Sequence, residues 1–256
     1  MLMLYFSGTG NSKYIAELFC KQMDAACHSI EEKLDFAELI TNEQTIAFCY
    51  PIYASRPPRI LRDFVSRHIE ALRGRKIIIF CTQNIFSGDG ARSFVDLLPE
   101  NHVEVLYAEH FLMPNNVSNL FFYPMSSERG IKKYVTRAER EMKIVCRNIK
   151  NGTIKKRGFN LISRLLGLPQ GVCVPWIEKR TKNSVRINEN CNGCNLCVSI
   201  CPVNNLICEN EKTIPIAAGN CIICYRCVNQ CPRKAITTMF NAKVRKQYKG
   251  INHKGE

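Results

Sequence analysis

The segment Ser7-Gly8-Thr9-Gly10-Asn11-Ser12 determines how the N-terminal half of this chain folds. It follows a short apolar run, Leu2–Phe6, and it opens a stretch, Ser12–Met23, whose apolar residues recur at helical spacing. A glycine-rich turn between a strand and a helix presents free backbone amides to an anion, and the helix dipole adds to the attraction. The hydroxyls of Ser7, Thr9 and Ser12 add further donors. The segment therefore predicts a phosphate-binding loop.

Two other phosphate-binding motifs do not fit this segment. The dinucleotide fingerprint G-x-G-x-x-G needs a third glycine where Lys13 stands, and the nucleotide-triphosphate loop G-x-x-x-x-G-K is absent here. The segment matches S/T-x-T-G-N-T/S throughout, and in this it resembles the phosphate loop of flavodoxins. The resemblance implies that FMN binds here. The phosphate contacts that it implies are Ser7, Gly8, Thr9, Gly10, Asn11 and Ser12.

Strand-like and helix-like patterns alternate along the first 150 residues. Strand patterns cover Cys27–Ile30, Thr45–Tyr50, Lys76–Thr82 and Val103–Met113, and helix patterns cover Arg59–His68, Ala91–Leu98 and Ser126–Asn148. Strands that alternate with helices predict a parallel sheet covered by helices on both faces. Together with the resemblance, the pattern predicts an α/β fold, a flavodoxin-like doubly wound sheet of five parallel strands.

Two loops after predicted strands are candidates for the flavin ring site. In an open parallel sheet, ligands bind at the carboxyl ends of strands, where the strand order reverses. The strand ending at Tyr50 leads into residues 51–58, and the strand ending at Thr82 leads into residues 83–90. Flavodoxin-like proteins hold the isoalloxazine ring between such loops, so the resemblance implies a flavin ring here. The alternative is a flavodoxin fold that binds no flavin. The ring-site candidates are Tyr53 and Phe86 for stacking, Gly88 and Gly90 for close backbone approach, and Pro51, Ile52, Thr82, Gln83 and Asp89.

Eight of the fifteen cysteines form two runs of identical spacing. Each run reads C-x2-C-x2-C-x3-C and ends in Cys-Pro; the runs are Cys191, Cys194, Cys197 and Cys201, then Cys221, Cys224, Cys227 and Cys231. Paired C-x2-C units also occur in zinc sites, but a four-ligand zinc site explains neither the third cysteine nor the repeated Cys-Pro. The spacing resembles that of bacterial two-cluster ferredoxins.

The resemblance to ferredoxins implies two 4Fe-4S clusters with exchanged ligands. In that family the fourth cysteine of each run binds the other cluster. One cluster is therefore expected on Cys191, Cys194, Cys197 and Cys231, and the second on Cys221, Cys224, Cys227 and Cys201. The expected domain is a small α+β ferredoxin domain over residues 186–240.

The net charge of +14 is concentrated in the C-terminal part of the chain. Residues 1–150 carry 19 basic and 17 acidic residues, whereas residues 151–256 carry 17 basic and 5 acidic residues. Such asymmetry can indicate nucleic-acid or membrane-surface binding. Each oxidised cluster with four thiolates carries about −2, which offsets part of the excess. We therefore keep a basic binding module with structural clusters as an alternative, and we do not expect nucleic acid as a partner.

The chain divides into four predicted segments: a flavodoxin-like domain (1–150), a basic linker with a short helix (151–185), the ferredoxin domain (186–240) and a basic tail (241–256). The helix is predicted over Phe159–Leu166, with its apolar side packed against the protein, and the tail is expected to be mobile. Trp176, the single tryptophan, is expected to anchor an interface near the domain junction.

The whole chain resembles a hybrid family of anaerobes, in which a flavodoxin-like domain is fused to a two-cluster ferredoxin. This implies an electron-transfer protein that relays electrons between two 4Fe-4S clusters and FMN. The alternative is a flavin-dependent reductase of a quinone-like substrate; the sequence names no catalytic residue. We expect redox partner proteins with acidic docking surfaces. With no membrane span or signal peptide evident, we expect a cytoplasmic location, where thiols stay reduced.

Overall fold

The computed structural model describes residues 1–86, 88–120, 123–208, 214–239 and 241–251. Ser87 of the predicted ring loop and residues 252–256 of the tail lie outside this set. The strands are β1 Leu2–Tyr5, β2 Ala26–Ser29, β3 Thr45–Pro51, β4 Lys76–Gln83, β5 Glu104–Leu112, β6 Lys155–Lys156, β7 Arg186–Ile187, β8 Leu206–Ile207, β9 Ile216–Ala217 and β10 Ile236–Thr237. The helices are α1 Asn11–Met23, α2 Phe36–Thr41, α3 Arg59–Arg67, α4 Arg92–Val95, α5 Glu128–Lys150, α6 Leu161–Thr181, α7 Leu196–Ser199 and α8 Arg226–Gln230.

In the described part of the chain, β1 to β6 form one parallel sheet in the order β2-β1-β3-β4-β5-β6. The predicted doubly wound parallel sheet is thereby confirmed, and β6 adds a sixth, two-residue edge strand from the linker, paired with Tyr107 and Ala108 of β5. β1 pairs with both β2 and β3, so the strand order reverses at β1. The carboxyl ends of β1 and β3 therefore meet at the switch point where such sheets bind ligands.

The sheet is buried on both faces, which explains the nearly continuous apolar sequence of its central strands. Alternate residues of each strand enter different cores. Phe48 of β3 packs beside Phe94 on one side, whereas Phe80 of β4 contacts Phe19 of α1 on the other. Burial of each such ring stabilises the fold by roughly 1.5–3 kcal/mol. The two cores hold the loops at the carboxyl end of the sheet in place.

The cysteine-rich segment forms a small α+β unit. Two short antiparallel pairs, β7 with β10 and β8 with β9, accompany α7 and α8. Val185, Leu206 and Val228 are buried in its core together with several of the cysteines. This small core confirms the predicted α+β architecture.

The linker differs from the prediction in two respects: its helix, α6, is longer, and the apolar side of the helix is exposed to solvent. α6 begins after Asn160, whose side-chain oxygen accepts a hydrogen bond of 2.7 Å from the Ser163 amide and caps the helix. It continues through Pro169 and Pro175 to Thr181, well beyond the predicted Phe159–Leu166. The expectation that its apolar side packs against the protein is wrong, since three of the four predicted packing residues are exposed: Ile162, Leu165 and Leu166.

The described part of the tail, up to Ile251, is docked rather than mobile. The Gln247 side chain donates to the backbone carbonyls of Val228 and Cys231 at 2.8 and 2.7 Å. The Tyr248 hydroxyl donates to the side-chain oxygen of Asn11 in the phosphate loop. Tyr248 is buried, so the tail contributes apolar packing as well as hydrogen bonds. Within the described ranges, the helices are all too short or too polar to cross a bilayer.

Burial of His110 on β5 predicts a loss of stability in mild acid. Burial, helped by the nearby Arg157 charge, lowers the pKa of this imidazole from 6.5 to about 4, against a smaller opposing effect of Glu109. Between these values the unfolded chain binds a proton that the folded chain does not, so the free energy of unfolding falls as the pH decreases from 6.5 towards 4. The free energy of unfolding should fall by at most about 3 kcal/mol over this pH range, because each unit of pKa difference between the folded and unfolded states corresponds to about 1.36 kcal/mol.

We expect His110→Gln to flatten this pH dependence, because glutamine does not titrate. The measurement is denaturant unfolding of the intact protein between pH 7 and 5.5, with the free energy of unfolding plotted against pH. An equal slope in both proteins would contradict the assignment of the acid sensitivity to His110.

Candidate functional site

The predicted phosphate loop folds into a tight turn before α1. Gly10 adopts a left-handed conformation, with φ of 101°, and its amide donates to the Ser7 hydroxyl oxygen at 3.0 Å. The Ser12 and Thr82 hydroxyls are hydrogen-bonded at 2.7 Å, which ties the start of α1 to the end of β4. The turn thus places the first amides of α1 at the carboxyl edge of the sheet, where a phosphate is favoured.

A cavity of about 380 Å³ lies at this edge, and we call it the central cavity. The phosphate loop forms one end of it, and the loops after β3 and β4 form its sides. α6 contributes Val174 and Ile177, and the cysteine-rich unit contributes Cys221, Ile222 and Ile223. Segments separated by more than 200 residues therefore build one site.

Most of the predicted flavin contacts line the central cavity. They are Ser7, Gly8, Thr9, Asn11, Ser12, Pro51, Ile52, Tyr53, Thr82 and Gln83. Gly10 lines a neighbouring surface cleft behind the loop. The loop after β4 enters the cavity through Asn84 and Ile85.

Four of the predicted ring contacts have other surroundings. Phe86, a candidate for ring stacking, is half exposed. Gly88 and Asp89 pack against Gly167 of α6, and the Gly90 carbonyl accepts hydrogen bonds from the Tyr50 and Ser93 hydroxyls. This half of the loop therefore serves to hold α6, because the long helix occupies the space beside it.

Several cavity residues were not predicted from the sequence. Asn115 and Asn116 follow β5, and the switch-point rule could have found them there. Thr181 of α6, Tyr225 and Met239 lie in segments that were assigned to the linker and the ferredoxin unit. No local pattern identifies these residues, because they reach the cavity only through contacts between distant segments.

Two unpartnered polar atoms show that the cavity suits FMN. The Tyr53 hydroxyl and the side-chain oxygen of Gln83 are buried, and neither has a hydrogen-bond partner among the described residues. Burial raises the pKa of Tyr53 well above its ordinary value, so its hydroxyl keeps the proton and can donate it. The polar edge of an isoalloxazine ring offers the carbonyls and the N–H that these groups lack. The residues present therefore fit the flavin.

The cysteines gather in two sets, each around its own cavity. Cys191, Cys194, Cys197 and Cys231 surround one, which we call the outer cluster site. Cys201, Cys221, Cys224 and Cys227 surround the other, the inner cluster site. Neither set is a site for a single metal ion: among the described residues, no group of three His, Cys, Asp or Glu side chains lies close enough together to bind one ion. The arrangement brings together the two exchanged sets that the resemblance to ferredoxins implies.

Backbone amides point at the sulfurs in a way that repeats between the two runs. The Asn205 amide donates to Cys201 Sγ at 3.1 Å, and the Ala235 amide donates to Cys231 Sγ at 3.3 Å, four residues after the cysteine in both cases. The Ile223 amide donates to Cys221 Sγ at 3.3 Å. Such hydrogen bonds stabilise thiolate ligands and tune the potential of a cluster.

Burial raises the pKa of one outer-site thiol, Cys197, and of three inner-site thiols, Cys221, Cys224 and Cys227. Burial, together with the neighbouring Cys231 and Cys191, raises the pKa of Cys197 to about 11. It raises the pKa of Cys224 to about 12. Because iron binds the thiolate, cluster assembly must release these protons.

Comparison with protein families assigns both halves of the chain. The family model described as a flavodoxin domain matches residues 2–112, and two models described as 4Fe-4S binding domains match residues 185–207 and 218–238. The chain joins a flavodoxin domain to a pair of 4Fe-4S binding domains. This confirms the predicted hybrid, with FMN and two 4Fe-4S clusters as its cofactors and electron transfer as its role.

Solved structures similar to this chain include several flavodoxins. The flavodoxin of Megasphaera elsdenii is 17% identical, with a TM-score of 0.39, and the match covers 55% of this chain and 99% of that chain. Flavodoxin 2 of Bacillus cereus is 20% identical (TM-score 0.36; 55% and 97% covered). A WrbA-like flavodoxin of Agrobacterium tumefaciens is 17% identical (TM-score 0.40; 59% and 97% covered). No curated protein matches the chain.

The flavodoxin domain and the 4Fe-4S domains meet at the phosphate loop. A Cβ atom at Gly8 would overlap the carbonyl oxygen of Cys224, so the loop lies directly against an inner-site cysteine. The Arg226 guanidinium donates to the carbonyls of Ser7 and Gly8, at 2.8 and 3.2 Å, and forms an ion pair of 2.7 Å with Glu31. One side chain of α8 thus holds the phosphate loop in place.

A second contact joins the domains on the opposite side of the cavity. Arg59, at the start of α3, donates to the backbone and side-chain oxygens of Asn220 at 2.8 and 2.7 Å. Asn220 directly precedes Cys221, so this pair fixes the inner cluster site against the flavodoxin domain.

Paired cysteine substitutions test the exchange of ligands. Cys191→Ala with Cys231→Ala removes two ligands from the outer site alone, so we expect about four of about eight irons to remain per chain. Cys191→Ala with Cys201→Ala damages both sites, and we expect little iron. The measurement is iron and sulfide content after anaerobic reconstitution.

The control is Cys173→Ala, which changes an exposed cysteine of α6 and should leave the iron content unchanged. The opposite result would show that each run holds its own cluster. In that case the Cys191→Ala/Cys201→Ala variant would keep about four irons per chain, and the Cys191→Ala/Cys231→Ala variant would keep little.

Arg226→Ala tests the contact between the domains. It removes the ion pair with Glu31 and leaves the carbonyls at Ser7 and Gly8 without this donor, so we expect a loss of about 2–4 kcal/mol in unfolding free energy. We also expect weaker FMN binding, because the phosphate loop loses its support. The measurements are denaturant unfolding and FMN titration.

Arg73→Ala is the matched control, since Arg73 forms an exposed ion pair with Glu70. Its expected effect on unfolding is about 0–1 kcal/mol. Equal losses in the two variants would mean that Arg226 does not couple the domains.

Proposed function

We propose that this protein relays electrons in the order outer cluster, inner cluster, FMN, in either direction. The observation that carries the proposal is the position of Cys221, which belongs to the inner cluster site and also lines the central cavity. When bound, the clusters exchange single electrons and FMN exchanges one or two, so the chain can couple one-electron to two-electron partners. The protein's own contribution is to hold the three centres in line.

The contacts between the two cluster sites support this order. Cys197 of the outer site lies close enough to Cys227 of the inner site to raise the pKa of that thiol, after burial and the inner-site cysteines. Of the eight cysteines at the two sites, Cys194 of the outer site is the one that is exposed. Electrons would therefore enter or leave the cluster pair at the outer site.

The surroundings of the outer site favour an acidic redox partner. Arg233 lines that site and is exposed, and Arg186 and Lys234 are exposed nearby in the same small domain. A basic rim around an exposed redox centre steers an acidic protein towards it. The cytoplasm is the location that we propose, because the eight cysteines of the two cluster sites must stay reduced to bind iron, and thiols stay reduced in that compartment.

The cover over the central cavity favours a relay over a substrate reductase. Val174 and Ile177 of α6 lie on one side of the cavity, and Ile222 and Ile223 on the other, so apolar side chains from two segments enclose the ring site. A reductase needs polar anchors for a substrate beside the flavin. The charged residues of the lining are already engaged by the protein, Glu178 by Arg62 and Arg59 by Asn220. An electron needs only the short route through the Cys221 segment.

Removal of the inner cluster should isolate the flavin from the outer cluster. Cys227→Ala removes an inner ligand that does not line the central cavity. We expect electrons from the outer cluster to reach the flavin at least about tenfold more slowly, which corresponds to about 1.4 kcal/mol of activation free energy. The measurement is anaerobic stopped-flow absorbance of FMN-loaded protein after mixing with limiting dithionite.

Cys173→Ala serves again as the matched control, and FMN affinity is measured in both variants to exclude a damaged flavin site. A flavin that is reduced at the wild-type rate without the inner cluster, with FMN affinity unchanged, would contradict the proposed route.

A further inference from the structure

The helix α6 carries its apolar residues on the outside of the protein. The exposed ones recur at positions 161, 165, 168, 172 and 176, the spacing of one helix face. Val172 is 74% exposed, Leu161 69% and Trp176 58%, and the same face includes Ile162, Leu165, Leu166 and Leu168. We call these seven residues the outer apolar face. At 1.5 Å per residue, the 21-residue helix that carries it is about 30 Å long.

The inward face of α6 is small and fits the flavodoxin domain closely. A Cβ atom at Gly167 would overlap the Asp89 carboxylate, and one at Gly171 would lie 2.6 Å from Arg56 Nε. Glu178 forms an ion pair of 2.7 Å with Arg62 of α3. The helix cannot turn its apolar face inward without losing all three contacts, so the outward orientation is fixed by the fold.

Positive charge surrounds the outer apolar face. Lys155, Lys156 and Arg157 precede the helix, Arg164 lies on it, and Lys179, Arg180 and Lys182 lie at its end; all are exposed. Between residues 151 and 188 the sequence holds one acidic residue, Glu178, which is paired with Arg62. The Arg180 guanidinium lies 4.3 Å from the centre of the Trp176 ring. Lys155 and Arg157 form ion pairs of 2.7 and 2.8 Å with Glu109 of β5. The cations around the face that have no acidic partner among the described residues are Lys156, Arg164, Lys179, Arg180 and Lys182, so the face combines hydrocarbon with an excess of positive charge.

This combination determines which occupant fits. A second copy of the chain would bring two cationic rims together, which like-charge repulsion disfavours. Nucleic acid would satisfy the charges but would leave seven apolar side chains against a polar backbone. An anionic bilayer satisfies both features, since its acyl chains accept the apolar residues and its phosphates accept the basic ones.

We propose that α6 docks this protein on the surface of an anionic phospholipid bilayer, with the outer apolar face inserted among the lipids. Tryptophan, leucine and flanking lysine and arginine are the residues that interfacial helices use. The opposite side of α6 lines the central cavity through Val174, Ile177 and Thr181. Docking therefore brings the flavin site to about one helix diameter, 10–12 Å, from the membrane surface.

The single tryptophan makes the proposal directly measurable, because Trp176 lies in the outer apolar face. Protein loaded with FMN and clusters is mixed anaerobically with vesicles of phosphatidylcholine containing phosphatidylglycerol, or of phosphatidylcholine alone. We expect a blue shift of the tryptophan emission and flotation of the protein with the anionic vesicles, both reduced by added salt and on neutral vesicles.

Val172→Asp should weaken vesicle binding by at least about tenfold, because it places a carboxylate at the centre of the inserted face. Ile144→Asp is the matched control: Ile144 is an exposed apolar residue of α5, outside the face, and its substitution should leave binding unchanged. Iron content and FMN content of both variants establish that they fold.

Absence of flotation on anionic vesicles would overturn the proposal, as would equal weakening by Val172→Asp and Ile144→Asp. Equal binding to neutral vesicles would overturn the role of the basic residues. A blue shift that grows with protein concentration without vesicles, together with a dimer in analytical ultracentrifugation, would assign the face to a second copy instead.

Discussion

The Cys224 carbonyl oxygen lies where a side chain at position 8 would otherwise stand, and this contact joins the two halves of the molecule. Only glycine allows the phosphate loop to come so close to the cluster-binding segment. Arg226 strengthens the contact by bonding to the loop carbonyls and to Glu31 at once. The flavin site and the inner cluster site are thereby held at a fixed separation, as efficient electron transfer requires.

The same closeness explains how the flavin site is covered. α6 is held against the flavodoxin domain by Gly167, Gly171 and the ion pair of Glu178, and the Cys221 segment is held by Arg59. Neither segment belongs to the flavodoxin domain in sequence, yet both enclose its cofactor cavity. The polar groups Tyr53 and Gln83 line a site whose cover is mainly apolar, a combination that suits the polar edge and apolar faces of a flavin ring.

The sequence predicted those features that local patterns record. Strand and helix positions in the sheet follow from burial of each segment. The resemblance of the cysteine spacing to that of two-cluster ferredoxins implies both ligand sets. Tyr53 was predicted from its position, because it follows a strand that ends at the switch point of the sheet. The stacking role of Phe86 stays a prediction: the side chain is half exposed, and Gly88 and Asp89 after it pack against α6.

The remaining features depend on contacts between distant residues, which periodicity does not report. α6 was expected to end near Leu166, since Gly167, Pro169, Gly171 and Pro175 disfavour helix. Packing of the two glycines on Asp89 and Arg56 outweighs that propensity. Docking of the tail likewise rests on single residues such as Gln247 and Tyr248, whose partners lie far away in sequence or on another element.

An anomalous difference map at the iron edge, from crystals of the fully loaded protein, tests the central claim most directly. The account predicts two iron peaks, with the one bound by Cys201, Cys221, Cys224 and Cys227 nearer to a flavin that lies in the central cavity, and only the Cys221–Tyr225 segment between them. A flavin outside that cavity, or one whose nearest iron is held by Cys191, Cys194, Cys197 and Cys231, would contradict it.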